Sequence, residues 1–156
     1  MIRRLHDRAK QLWREDRARF LARLFALVAF AGFADATFLA IEHFFGAVPP
    51  CTVVAGCEAV TRSAYATLGG VPVAVLGSAY YFAMLIAALL FLNQGEAVLM
   101  RAAAWLTIVG MVASLYFVSL QLFVIDAICL YCMVSAVTSG ALFVLSFPLR
   151  RYLPRD

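Results

Sequence analysis

The chain has 156 residues, enough for one domain, with hydrophobic residues at 65% and charged residues at 14%. Soluble domains hold roughly 45–50% and 25% respectively, and a globule of this size leaves too much surface exposed to hide such an apolar excess. A soluble domain, a disordered chain and a disulfide-stapled miniprotein are therefore excluded, and an integral membrane protein remains. Thirteen basic residues face nine acidic ones for a net charge of +4, with eight of the thirteen in residues 1–23 and Arg150, Arg151 and Arg155 near the end. Charge placed at the flanks of apolar runs is a topology signal, not a nucleic-acid-binding face.

In chain order, residues 1–19 form a cytoplasmic segment in which Ile2, Leu5, Ala9, Leu12 and Trp13, followed by Phe20, recur at helical spacing among Arg, Asp and Glu. This spacing predicts an amphipathic helix on the membrane surface; the alternative is a frayed basic tail that serves orientation alone. The charged leader is too long, and the apolar run after it too extended, for a cleaved signal peptide. A membrane domain follows over residues 20–147. About 20 apolar residues are needed per helical crossing, and four windows meet that length: Phe20–Ile41, Pro72–Leu92, Ala102–Val124 and Ile128–Phe147. The connections are then 42–71, 93–101 and 125–127, and residues 148–156 form a basic tail. The fold class is an all-α integral membrane protein, a bundle of four transmembrane helices. Small residues four apart, as at Gly32/Ala36, Gly110/Ser114 and Ala136/Gly140, suit close helix packing in lipid.

Orientation follows from the arginines. Both termini and the 93–101 connection hold twelve of the thirteen basic residues, and Arg62 alone lies in the other two connections. Cytoplasmic segments carry such an excess. Both termini are therefore expected in the cytoplasm, and the 42–71 and 125–127 connections on the outer side.

The four cysteines, Cys51, Cys57, Cys129 and Cys132, all lie in or beside the two outer connections, on the side where disulfides persist. Cys129-Leu130-Tyr131-Cys132 is a C-x-x-C at the start of the fourth span, where a helix N-terminus favours thiolate. Cys51 and Cys57 bracket five residues, with Pro49-Pro50 ahead of them and Gly56 allowing a turn before Cys57. Two pairs at one membrane rim suggest a relay, in which one pair meets a soluble dithiol and the other an electron acceptor in the lipid. Two inert structural bridges or a metal site are the alternatives. The metal reading is disfavoured because no histidine other than His43 is near, so no metal is expected.

Asp35 lies within the outer half of the first span, where an ionisable group is costly and by default functional. It would either move protons at the acceptor site or hydrogen-bond a neighbouring helix. Tyr131 is tied to the chemistry by its place between two sulfurs; the other tyrosines equally suit an interfacial belt. A four-span transporter with Asp35 as its ion-coupling group, or a structural membrane subunit with inert disulfides, is the competing class.

Taken together, Cys51-x5-Cys57-Glu58-Ala59-Val60-x-x-Ser63, Gly69-Gly70-Val71-Pro72-x4-Gly77-x-x-Tyr80-Tyr81 and Cys129-x-x-Cys132 resemble the bacterial vitamin K epoxide reductase homologues. With Phe38-Leu39 and His43, the similarity spans roughly residues 20–147. The resemblance implies a four-helix bundle with a quinone site near the outer surface, covered by a short helix at about Cys57–Leu68. By position, Cys51 would exchange with a thioredoxin-like partner, Cys57 would pass electrons to Cys129, and Cys132 would stand nearest the quinone. Ser63 would lie at the quinone pocket; Tyr131 and Asp35 are further candidates for that pocket from their own positions in the chain. The implied activity is reoxidation of a periplasmic DsbA-like protein by ubiquinone or menaquinone, in support of disulfide formation at the bacterial inner membrane. Where animal enzymes carry Thr-Tyr-Ala after the C-x-x-C, this chain has Ser135-Ala136-Val137, so epoxide reduction is not implied. Many bacterial relatives carry a fused thioredoxin domain. This chain ends at Asp156, and a separate partner protein is expected.

Overall fold

The structure is a computed structural model that describes residues 2–46 and 56–153, with side chains from residue 12 onward. Among these residues five α-helices run in the order α1 (Ile2–Phe45), α2 (Cys57–Thr61), α3 (Val73–Gln94), α4 (Ala97–Phe123) and α5 (Leu130–Tyr152). A 3-10 turn (Ala64–Ala66) and two short strands, β1 (Thr67–Leu68) and β2 (Val71–Pro72), lie between α2 and α3. Four helices, over Leu12–Phe45, Val73–Gln94, Ala97–Phe123 and Leu130–Tyr152, are long and apolar enough to cross a membrane. The chain is an all-α, multi-pass membrane bundle.

The N-terminal segment is helical and runs into the first span without interruption. No Gly or Pro stands between Ile2 and Ala31, so nothing in that stretch breaks the backbone ladder. Its 44 residues extend to about 66 Å at 1.5 Å per residue. That is twice the roughly 30 Å of a hydrocarbon core, so part of α1 projects beyond the membrane. The second connection is far shorter than the nine residues expected. Gly95 takes φ +77 and caps α3 through its N–H to Phe91 O at 3.0 Å, and α4 begins two residues later. A left-handed glycine closes a helix in this way, so Arg101 sits inside α4 and not in a loop. The last helix continues through Pro148 to Tyr152, past its expected end at Phe147.

The helix expected at Cys57–Leu68 ends at Thr61. Ser63 is extended (φ −67, ψ 157), and the chain then forms the antiparallel β1–β2 hairpin, pairing Thr67 with Pro72 and Leu68 with Val71. Gly69 and Gly70 at its tip have φ +59 and +84. Two consecutive positive φ angles match the favoured two-residue hairpin turn and are strained for other residues.

In the bundle α1 packs on α3 and α5, and α4 on α5 and α3, giving a ring of four antiparallel helices. The α1 face of the core is rich in small residues: Ala18, Ala22, Ala26, Ala29, Ala36 and Ala40 are all buried, with large side chains such as Phe25, Met84, Met100 and Leu142 filling the space between helices. With no hydrophobic drive between helices in lipid, close approach of small residues supplies the packing. The aromatic ring of Tyr81 fills the space a side chain at Gly32 would take, and the Tyr80 hydroxyl does the same at Gly110. Large apolar side chains such as Leu27, Phe30, Val109, Val112, Leu115, Val137 and Val144 point outward, as a lipid-facing surface requires. At the end holding the chain termini, Arg14 donates to Arg151 O at 2.9 Å, and the Arg150 guanidinium lies 4.4 Å over the Trp105 ring. Cys57, Cys129 and Cys132 lie at the other end.

Candidate functional site

Cys57 opens α2, is 1% exposed and is disulfide-bonded. The Thr61 hydroxyl donates to Cys57 O at 2.8 Å and ties the single turn of α2 together. The exposed Arg62–Glu58 pair at 3.0 Å adds little, since water screens it.

Cys129 precedes the first turn of α5, outside the span that starts at Leu130, and is fully buried. Its sulfur caps the helix by accepting the Cys132 N–H at 3.5 Å. Its own N–H donates to the Gln121 side-chain oxygen at 2.8 Å. Cys129 and Cys132 are both free thiols. Hydrogen bonding from the Cys132 thiol, helped by the backbone N–H groups of Cys132 and Tyr131, lowers the Cys129 thiol to about 7, against burial and the charge of Asp35.

Cys57, Val60 and Cys129 form one buried cluster, with Ile125, Ala127, Tyr131 and Cys132 packed around it. A Cβ at Gly56 would stand 2.5 Å from Ile128 O and 2.6 Å from Ile128 N. Only a glycine lets the backbone before Cys57 press this closely on the backbone before Cys129. The two connections thus bring one cysteine of each sequence pair together. Cys51 lies outside the described residues.

The remaining candidates divide. Tyr131 packs its ring 5.2 Å from Phe38 of α1, which fixes the C-x-x-C turn to the first span. Asp35, one turn before Phe38, is hydrogen-bonded to Ser135 and is close enough for its charge to act on Cys129, Cys132 and Tyr81. Its Oδ2 is buried with no hydrogen-bond partner. Asp35 is therefore beside the thiols, in a polar seam that continues through Tyr81, whose hydroxyl donates to Ser135 O at 2.6 Å and lies 2.9 Å from Thr138 Oγ1. Ser63 is turned to its own segment: its hydroxyl donates to Val60 O at 2.8 Å, so it adjoins the cluster through Val60. Among the described residues no three His, Cys, Asp or Glu side chains converge to hold a metal ion.

One residue and one contact escaped the sequence reading. Gln121 is 2% exposed near the end of α4, and the signal for it was a lone amide near the end of an apolar helix, costly there unless it is bonded. The Tyr81–Ser135 contact had no sequence signal, because it joins two helices 54 positions apart.

A four-span bundle that buries a C-x-x-C against a disulfide-bonded cysteine has the parts of a membrane thiol–disulfide oxidoreductase. Residues 23–147 match the model of the vitamin K epoxide reductase family. The chain belongs to that family, and as a member it is a membrane thiol–disulfide oxidoreductase. No curated protein matches the chain.

Proposed function

We propose that this chain reoxidises a thioredoxin-fold, DsbA-like protein and passes the electrons through its two cysteine pairs to a membrane quinone, ubiquinone or menaquinone. The observation that carries the reading is the joint burial of Cys57 and Cys129 in one cluster. Thiol–disulfide exchange needs sulfur-to-sulfur approach, and the shared burial of Cys57 and Cys129 supports it.

A partner thiolate attacks Cys51 of a Cys51–Cys57 disulfide, and Cys57 leaves as thiolate. The partner's second thiol then displaces Cys51, and the partner departs as a disulfide. Cys57 attacks Cys129 of an oxidised C-x-x-C, releasing Cys132; Cys51 then attacks Cys57, restoring Cys51–Cys57 and leaving Cys129 and Cys132 reduced. Two electrons and two protons must next leave the C-x-x-C. A quinone, when bound, accepts both, and quinol returns to the bilayer.

The residues suit such an acceptor. Cys132 is half-buried in the first turn of a span, and Asp35 offers a buried carboxylate oxygen with no partner. In this reading Asp35 holds the proton released by Cys132, Ser135 orients the carboxylate, Tyr131 positions the turn and Ser63 borders the pocket through Val60. A lone buried carboxylate beside two thiols is expensive, and proton transfer accounts for its presence. The arginine distribution supports placing the cysteines at the periplasmic face of a bacterial inner membrane, with both termini in the cytoplasm.

The test is quinone reduction by the purified protein with a reduced DsbA-like donor. Each single Cys→Ser change at 51, 57, 129 and 132 is expected to abolish turnover, and Cys132→Ala to accumulate a Cys57–Cys129 bond on non-reducing gels. Full turnover without Cys129 would end the relay reading.

A further inference from the structure

The step between the pairs depends on where Cys129 is held, and the residue that holds it is in neither cysteine connection. Gln121 belongs to α4, is 2% exposed and bonds the 124–129 connection twice. Its side-chain oxygen accepts the Cys129 N–H at 2.8 Å, and its backbone carbonyl accepts the Ala127 N–H at 3.1 Å. A backbone N–H only donates, so the amide atom that faces Cys129 is the oxygen.

Just before those anchors the chain makes a tight turn. Asp126 stands at φ +53, a left-handed conformation that suits Asp as a single turn residue and that redirects the chain into Ala127. On its far side the connection meets Gly56, whose backbone abuts Ile128. Residues 127–129 are therefore gripped between α4 and the segment leading into Cys57.

We infer that Gln121 is a positioning residue for the inter-pair exchange: its side-chain oxygen, by fixing the Cys129 backbone, sets how closely the Cys129 sulfur approaches Cys57. The inference rests on the relay reading and adds to it a residue that touches neither partner, quinone nor sulfur. Removing the acceptor leaves the Cys129 N–H buried and unbonded. That N–H then seeks water or another carbonyl, and the connection shifts with it.

The experiment isolates the exchange. In a Cys51→Ser/Cys132→Ser protein, Cys57 and Cys129 are the only thiols left, and their disulfide is titrated in glutathione redox buffers and read by maleimide gel shift. Gln121→Met keeps the length of the side chain and removes the acceptor; it is expected to lower the effective concentration of Cys129 at Cys57 by about tenfold. Gln121→Glu retains an oxygen there and is expected to recover most of the loss. In a Cys129→Ser/Cys132→Ser protein, Gln121→Met should leave formation of a Cys51–Cys57 disulfide unchanged. An unchanged Cys57–Cys129 titration in Gln121→Met overturns the inference, and so does an equal loss in both pairs, which would mean general loosening. If Cys57 and Cys129 fail to pair even with Gln121 in place, the relay reading itself falls, and this role with it.

Discussion

Cys129 shows how one position acquires its chemistry from its neighbours. The residue is fully buried, which alone would raise a thiol pKa and silence it. Hydrogen bonding from the Cys132 thiol outweighs burial, the backbone N–H groups of the first turn of α5 assist, and the thiol falls from its ordinary 9.0 to about 7. The sign is clear: a lowered pKa puts thiolate at neutral pH, and acidification through about 7 withdraws it. Alkylation of Cys129, read by mass spectrometry of its peptide, should rise with pH around a midpoint near 7. In Cys132→Ala the principal hydrogen bond is gone, so the midpoint should move upward and alkylation at neutral pH should slow. An unmoved midpoint would assign the effect to the helix terminus instead. Asp35 contributes in the opposite sense at Cys129, its charge opposing thiolate, which is consistent with a group that receives a proton and does not activate the sulfur.

Among the elements, α2 is the least self-sufficient. Five residues make barely more than one helical turn, too short to persist alone in water. It persists because Cys57 and Val60 are buried against Cys129, Ile125 and Ala127, and because Gly56 allows backbone to meet backbone at Ile128. Gly56 itself is in an ordinary right-handed conformation, φ −92 and ψ −6, so the need for glycine here is steric, not conformational. Gly56→Ala should push α2 off the 124–129 connection at a cost of about 1–3 kcal/mol, typical of an overpacked contact. Thermal unfolding in detergent measures that cost. The same variant should trap less Cys57–Cys129 bond in a Cys132→Ala background, and normal trapping with a lowered melting temperature would separate stability from relay geometry. The β1–β2 hairpin makes the companion point: Leu68-Gly69-Gly70-Val71 forms a tight hairpin, and the helix expected over Cys57–Leu68 has already ended at Thr61.

At the scale of the whole molecule, the short Gly95-Glu96 turn and the shared end of α1 and α5 place the start of α1, the end of α5 and the middle connection at one end of the bundle, with Cys57, Cys129 and Cys132 at the other. The arginine bias supports the proposed orientation, with the first end in the cytoplasm. In a cysteine-free background, a membrane-impermeant maleimide added to intact cells should label Leu68→Cys, which lies in exposed β1. Glu96→Cys should be labelled only after the membrane is opened. Labelling of both from outside would overturn the orientation.

Much of this was legible in the chain itself. The four apolar windows, the clustering of Cys57, Cys129 and Cys132 at one rim, and the motif linking Cys51 to Ser63 all come from order and spacing, because hydrocarbon thickness sets helix length and helix length sets which residues share an end. The helix limits were less legible where one residue decides them: Gly95 closed a loop that composition suggested was longer, and the absence of any breaker joined the amphipathic segment to the first span. Only tertiary structure decided that Asp35 stands beside the C-x-x-C, that Tyr81 reaches Ser135 across the notch at Gly32, and that Gln121 holds Cys129. Each of these joins side chains on different helices or across a turn, and in a lipid-embedded bundle the rotation of a helix about its axis is fixed by packing against its neighbours, which hydropathy along one segment does not encode.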